Sequence, residues 1–142
     1  MVTVEVYGAN AQQNKSLKDS IKTGVELKLR QSGVGVIERE WLETPGFPML
    51  RATVGLYEAK ATGPSEEYIF YSSSFRLDLR QAVLLKRDPD VASGKNEAIM
   101  ATTWEAEQVG YAPRDDLREQ IRRTAGDLVE EFLNDYLSVN PK

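Results

Sequence analysis

The stretch YSSSFRLDLRQ, Tyr71 to Gln81, sets three adjacent serines before a run of alternating charge. A serine hydroxyl becomes a nucleophile only beside a base that takes its proton. The chain holds no histidine, so no Ser-His-Asp set exists. No serine has a lysine three residues on, and no G-x-S-x-G elbow occurs. Carboxylates are the other reactive type, at Glu38, Glu40, Glu43, Glu58, Glu105 and Glu107. Two of them at a defined separation would suit a glycosidase. Ordinary surface charge accounts for the acids more economically, and the serines read first as part of a sheet strand.

Other motifs fall short of their chemistry. Gly33 and Gly35 follow a helical stretch and lack the third glycine of a dinucleotide fingerprint. In ASGKN the upstream glycine of a phosphate loop is replaced by Pro89. DPDVASG lacks the glycine at the sixth position of a calcium loop. Arg114, Arg118, Arg122 and Arg123 are balanced locally by Asp115, Asp116 and Glu119 and read as a solvated helix surface. There is no cysteine, which excludes disulfides, thiolate metal sites and cysteine nucleophiles. Without histidine the commonest metal ligand is also missing, so neither a metal nor any other cofactor is expected. The net charge of −4 argues against a nucleic-acid partner.

The elements that must position these groups follow from periodicity. The 142 residues suit one domain spanning 1–142, with 41% apolar and 28% charged residues. VTVEVYG alternates as a half-buried strand. Ser16 to Asp19 reads as a capping box that starts a helix with Leu17, Ile21, Val25 and Leu29 on one face, stopped by Gly33. VGVIEREW (34–41) reads as a second strand, ETPGFP as a loop and MLRATVGLYEAK (49–60) as a third strand. Extended stretches over about 68–86 and 97–111 follow. A last helix starts near Pro113 and carries Leu117, Ile121, Ala125, Leu128, Val129, Phe132 and Tyr136 on one face. The expected fold is α+β: a two-layer sandwich in the order β-α-β-β-β-β-α. One mixed sheet of about five strands has both helices on one face, with the first two strands parallel.

Period-two counting from Ile69 to Leu85 turns Ser73 inward and Ser72 and Ser74 outward. The stretch from 68 to 86 would span about 60 Å as a straight strand, longer than a domain about 40 Å across. It must bend at a bulge, for which Ser72–Ser74 is a natural place, or project as an arm. Pairing Lys86 with Glu97 sets Leu79 against Trp104, Leu77 against Ala106 and Val83 against Met100. Outward, Arg76 faces Glu107, and Asp78 meets Glu105 as a like-charge pair. The same register sets Ala82 against Ala101 and Leu84 against Ile99, making an apolar patch at the hairpin end. Such a patch calls for cover from the same chain or from a partner.

VELKLRQSGVGV, ATTW and LVEEFLNDYLSVNPK together resemble a family of small bacterial proteins, many exported, with a similar helix, a Thr-Trp strand and a closing helix. The resemblance runs from about Leu17 onward and carries no assigned activity to transfer. More distantly, the β-α-β opening is similar to the amino-terminal envelope domains of TolB and of the curli secretion channel protein, which work through protein contacts.

These readings converge on a non-catalytic interaction or assembly module of the bacterial envelope. A protein partner or self-association into a homo-oligomer would use Ala82, Leu84, Ile99 and Ala101, with Phe47 on an exposed loop between Pro45 and Pro48. No apolar run is long enough to insert into a membrane. The opening residues show no leader, so an exported or periplasmic home implies one already removed, and the other home is cytoplasmic. The alternative function is a small-molecule binder or carboxylate hydrolase built on Glu105, Glu107, Arg76 and Arg80.

Overall fold

The computed structural model describes residues 1–8, 11–37, 44–62, 67–83 and 99–140, with backbone alone at 11–14, 61, 67 and 68. Six elements follow in order: β1 (Val2–Gly8), α1 (Ala11–Gln31), β2 (Met49–Thr62), β3 (Glu67–Val83), β4 (Ile99–Pro113) and α2 (Leu117–Val139). The strands form one mixed sheet in the order β1-β2-β3-β4. β1 is parallel to β2, and the two later pairs are antiparallel.

The sheet is one strand short of the expectation. Residues 34–37 form no strand, and 38–43 lie outside the described residues. Val34 and Val36 still pack against the core, so the alternation that suggested a strand reports burial without ladder pairing. The parallel partner of β1 is therefore the strand at Met49–Thr62.

α1 begins at Ala11, five residues before Ser16, so the capping box lies inside the helix. Its end matches the sequence reading. Gly33 has φ +78°, its N–H donates to Arg30 O at 3.0 Å and Val34 N–H donates to Leu29 O at 2.9 Å. This is the paired closure of a left-handed helix terminus. Pro113 ends β4, and α2 starts four residues later, with Asp116 at its N-cap.

Both helices cover the same face. Leu17, Ile21, Val25 and Leu29 of α1 join Ile121, Leu128, Val129 and Phe132 of α2 over Val2, Val4, Leu50, Val54, Phe75 and Leu77. Each such side chain, once buried, contributes about 1.5–3 kcal/mol. Ser73 points into this layer and is 6% exposed. Its Oγ lies 3.5 Å from Gly110 O, at the limit of a hydrogen bond.

The β3–β4 ladder runs regularly through Ser72–Ser74, where a bulge was expected. It breaks at Leu79/Arg80: Leu79 pairs with Trp104 and Arg80 with Thr102, so Thr103 is the extra residue. Beyond their neighbours, β2 and β3 continue alone from Lys60 and Ile69 to Thr62 and Glu67. The long hairpins therefore bulge and also overhang.

Gly8 closes β1 with φ +78°, and a Cβ there would lie 1.9 Å from Leu56 O. Backbone blocks it, so no side-chain rotation relieves the clash. Gly8→Ala is expected to lower stability by about 2 kcal/mol or more, seen as a lower urea midpoint with an unchanged slope.

Candidate functional site: the helix-free face

One face of the sheet has both helices. On the other, residues line up in rows across the strands. Thr3, Arg51, Asp78 and Glu105 form one row, and Glu5, Thr53, Arg76 and Glu107 the next. Tyr7, Gly55, Ser74 and Val109 follow, then Tyr57, Ser72 and Tyr111.

Asp78 is 0% exposed although no helix covers this face. A buried carboxylate needs compensation. Arg51 Nε donates to Asp78 Oδ1 at 3.1 Å, and Arg76 Nε lies 3.9 Å from the same oxygen. Arg76 Nη2 also donates to Glu105. The like-charge pair of Asp78 and Glu105 is thus separated by a guanidinium that serves both. Asp78 Oδ2, Arg76 Nε, Arg80 Nε and the Thr3 hydroxyl are buried without a hydrogen-bond partner among the described residues.

The tyrosine end is different. Tyr7, Tyr57 and Tyr111 are 55, 64 and 70% exposed, and Val109 is 57% exposed. Between them the surface is made of Gly55, Ser72 and Ser74. A Cβ on Gly55 would meet Ser74 Oγ at 2.7 Å and the Tyr57 ring at 3.1 Å, so Tyr57 is laid back over Gly55. The Tyr7 hydroxyl donates to Glu5 Oε2 at 2.6 Å.

The apolar patch foreseen at the hairpin end is not assembled as drawn. The bulge at Thr103 shifts every later partner by one residue. Ala82 faces Met100, Ala101 faces Gln81 and Ile99 faces Val83. A one-residue slip sends a side chain to the opposite face, so Ala82 is on the bare face while Ala101 and Ile99 are on the helix side. Leu84, Lys86 and Glu97 lie outside the described residues. Phe47, expected on an exposed loop, is half-buried with φ +43°. Its turn is tied to the sheet where Ala82 N–H donates to Gly46 O at 2.7 Å. Of the four charged residues foreseen together, Arg76 and Glu105 are ion-paired. Asp78 was foreseen opposite Glu105 but not as a buried, arginine-held carboxylate, and the three tyrosines were not singled out from sequence. Continuing the Arg76–Glu107 register upward would have set Ser72 against Tyr111.

Two clefts lie on the helix side, and a third of about 400 Å³ runs from Tyr111 to Asp116, Glu119 and Arg123 at the start of α2. One of about 520 Å³ runs between the helices past Gly24, Lys28, Arg122 and Gly126. Another of about 480 Å³ is bordered by Gln81, Thr103, Trp104, Asp135 and Tyr136. Trp104 is fixed there by an edge contact with Phe132 at 5.1 Å and by donating to Asp135 Oδ2 at 2.8 Å. Among the described residues no group of three or more acidic side chains is placed to hold a metal, and no helix is long and apolar enough to cross a membrane.

No family model matches the chain. No curated protein matches it either. Among solved structures it is similar to a protein given as a neuraminyllactose-binding hemagglutinin homolog of Helicobacter pylori, with 13% identity and a TM-score of 0.46. That match covers 94% of this chain and 79% of the other. It is also similar to a minor lipoprotein of Acinetobacter baumannii, with 10% identity, a TM-score of 0.40 and coverage of 97% and 94%. Both neighbours are bacterial proteins.

The charge network makes an asymmetric prediction. Arg51→Met strands the buried carboxylate and is expected to cost about 3 kcal/mol. Asp78→Asn leaves arginines that can turn to water and is expected to cost about 1–2 kcal/mol. Urea unfolding of the two variants at neutral pH measures the difference.

The Tyr7 phenol is held above its ordinary value of 10.0, chiefly by its hydrogen bond to Glu5. Its folded value exceeds its unfolded one, so the stabilisation is complete below pH 10.0 and disappears as pH rises through the raised value. In an alkaline absorbance titration, Glu5→Gln should move one tyrosine back toward 10.0.

Proposed function

We propose that the protein is a non-catalytic interaction module of the bacterial envelope that docks a protein partner on the helix-free face of its sheet. The observation that carries this reading is the tyrosine end of that face, where three exposed rings and Val109 surround a floor of small residues. Tyrosine offers a large rigid contact area with a polar tip and is enriched at interfaces. Gly55 supports the same reading, because it lets the Tyr57 ring lie low on the strand. The envelope placement draws on the sequence resemblance to exported bacterial proteins. Ala82, beside the Gly46–Phe47 turn, extends the contact surface at the opposite end.

A small-molecule site or carboxylate hydrolase on Glu105, Glu107, Arg76 and Arg80 has less support. Arg76 and Glu105 neutralise one another, and the clefts described above are lined by other residues.

A photoreactive benzoylphenylalanine placed at Tyr57, and separately at Tyr111, tests the docking face in the native host. Both positions should give the same discrete adduct, and the same group at Glu131 on α2 should not. An adduct of twice the 15.9 kDa chain mass identifies a second copy as the partner. No adduct from either tyrosine position, or the same adduct from Glu131, overturns the reading.

A further inference from the structure

We infer that the tyrosine end of the bare face is a cation site, and that the segment it receives presents a protonated lysine or arginine side chain. This rests on the docking reading above and adds the chemistry of the partner.

Three features point to positive charge. The first is the row bordering the tyrosines, Glu5, Thr53, Arg76 and Glu107. Its one cation, Arg76, is already committed to Glu105 and lies beside Asp78. Glu107 makes no ion pair among the described residues, so Glu5 and Glu107 leave this border negative. Arg51, in the row beyond, is held by buried Asp78, and Arg123, which lines a cleft with Tyr111, is paired with Glu119.

The second feature is ring spacing. Tyr57 and Tyr111 share a row with Ser72 between them. Their strands are two sheet spacings apart, roughly 10 Å. Ser72 carries a short side chain, so a cation entering there is flanked by an exposed tyrosine on each side, and a ring face attracts it at short range. The third is donor polarity. The Tyr7 hydroxyl spends its proton on Glu5, which leaves the phenol oxygen as an acceptor toward an incoming ammonium or guanidinium. An anionic ligand would meet carboxylates and ring faces, both repulsive to it.

The probe is a Lys-Gly-Lys-Gly-Lys peptide titrated into the isotopically labelled protein, read by the aromatic resonances of the tyrosines. Tetramethylammonium chloride and a Gly-Ser peptide of equal length are the comparison probes. The lysine peptide and tetramethylammonium should shift Tyr57 and Tyr111 saturably, and the Gly-Ser peptide should not. Tyr57→Leu with Tyr111→Leu keeps apolar area but removes both ring quadrupoles, and should weaken the peptide about 5- to 25-fold. Glu107→Gln should weaken it too. Both sites are exposed, and unchanged core resonances check that the variants fold. Equal shifts with the Gly-Ser peptide, equal affinity in the double leucine variant, or shifts spread evenly over the acidic surface of α2 overturn the cationic assignment. If the lysine peptide fails while both tyrosine positions still crosslink to a partner, this inference falls and the docking face stands.

Discussion

An extended chain advances about 3.3 Å per residue and a helix about 1.5 Å. The 17 residues of β3 therefore run about 56 Å, while the 23 residues of α2 roof about 35 Å. This mismatch governs the molecule. The helices can bury only part of one sheet face, and apolar side chains beyond them, such as Ile69 and Ile99, are exposed. Toward the edge of the roof the inward positions mix polar and apolar groups: Tyr71 packs against the core yet donates to Glu58 at 3.0 Å, and Ile69 beyond it is 40% exposed. The sheet must be soluble along its overhang and over its whole second side.

The bare side meets that demand in two ways. In the middle it uses charge. Asp78 sits on an inner strand of the four-strand region, where neighbouring side chains exclude water without a helix above them. Arg51 approaches from one side and Arg76 from the other, so the network ties β2, β3 and β4 together across the ladder. A buried ion group of this kind is weak evidence for added stability over an apolar replacement. It holds the strands in register, because a slip of one residue would turn Asp78 into the core. Toward the tyrosine end the same side uses aromatic rings and small residues. That end has no comparable requirement from folding, since the rings are mostly exposed and their removal would leave the core intact.

Much of this was legible in the sequence. Both helices, the one-sided burial and the inward turn of Ser73 followed from periods of 3.6 and 2. So did the β3–β4 register from Arg76–Glu107 through Leu79–Trp104. The reading failed where one residue decides. Thr103 has no glycine or proline to announce a bulge, and its hydroxyl bond to Gln81 Oε1 at 2.8 Å is made only once the chain is folded. That insertion divided the foreseen patch of Ala82, Ile99 and Ala101 between two faces. Val34 and Val36 misled for the opposite reason: alternation records which side chains are buried, and a connection crossing the core edge can alternate without a strand partner. The tyrosines escaped notice because Tyr7, Tyr57 and Tyr111 are far apart in sequence, and only the order β1-β2-β3-β4 makes them neighbours.

The two halves of the bare face differ in how far their polar groups are already satisfied. Catalytic groups need charge that is held ready yet not already satisfied. In the middle of this face Arg51, Arg76, Asp78 and Glu105 satisfy one another, and the unpartnered atoms of Asp78 and Arg76 are buried. A substrate reaching Glu105 would first have to displace Arg76 and uncover Asp78, which sets desolvation and ion-pair rupture against binding. The tyrosine end carries no such penalty: its rings are open to solvent, and Ser72 and Ser74 leave space between the strands that bear them. On the docking reading proposed above, a partner would meet the aromatic half without disturbing the ion pairs of the charged half.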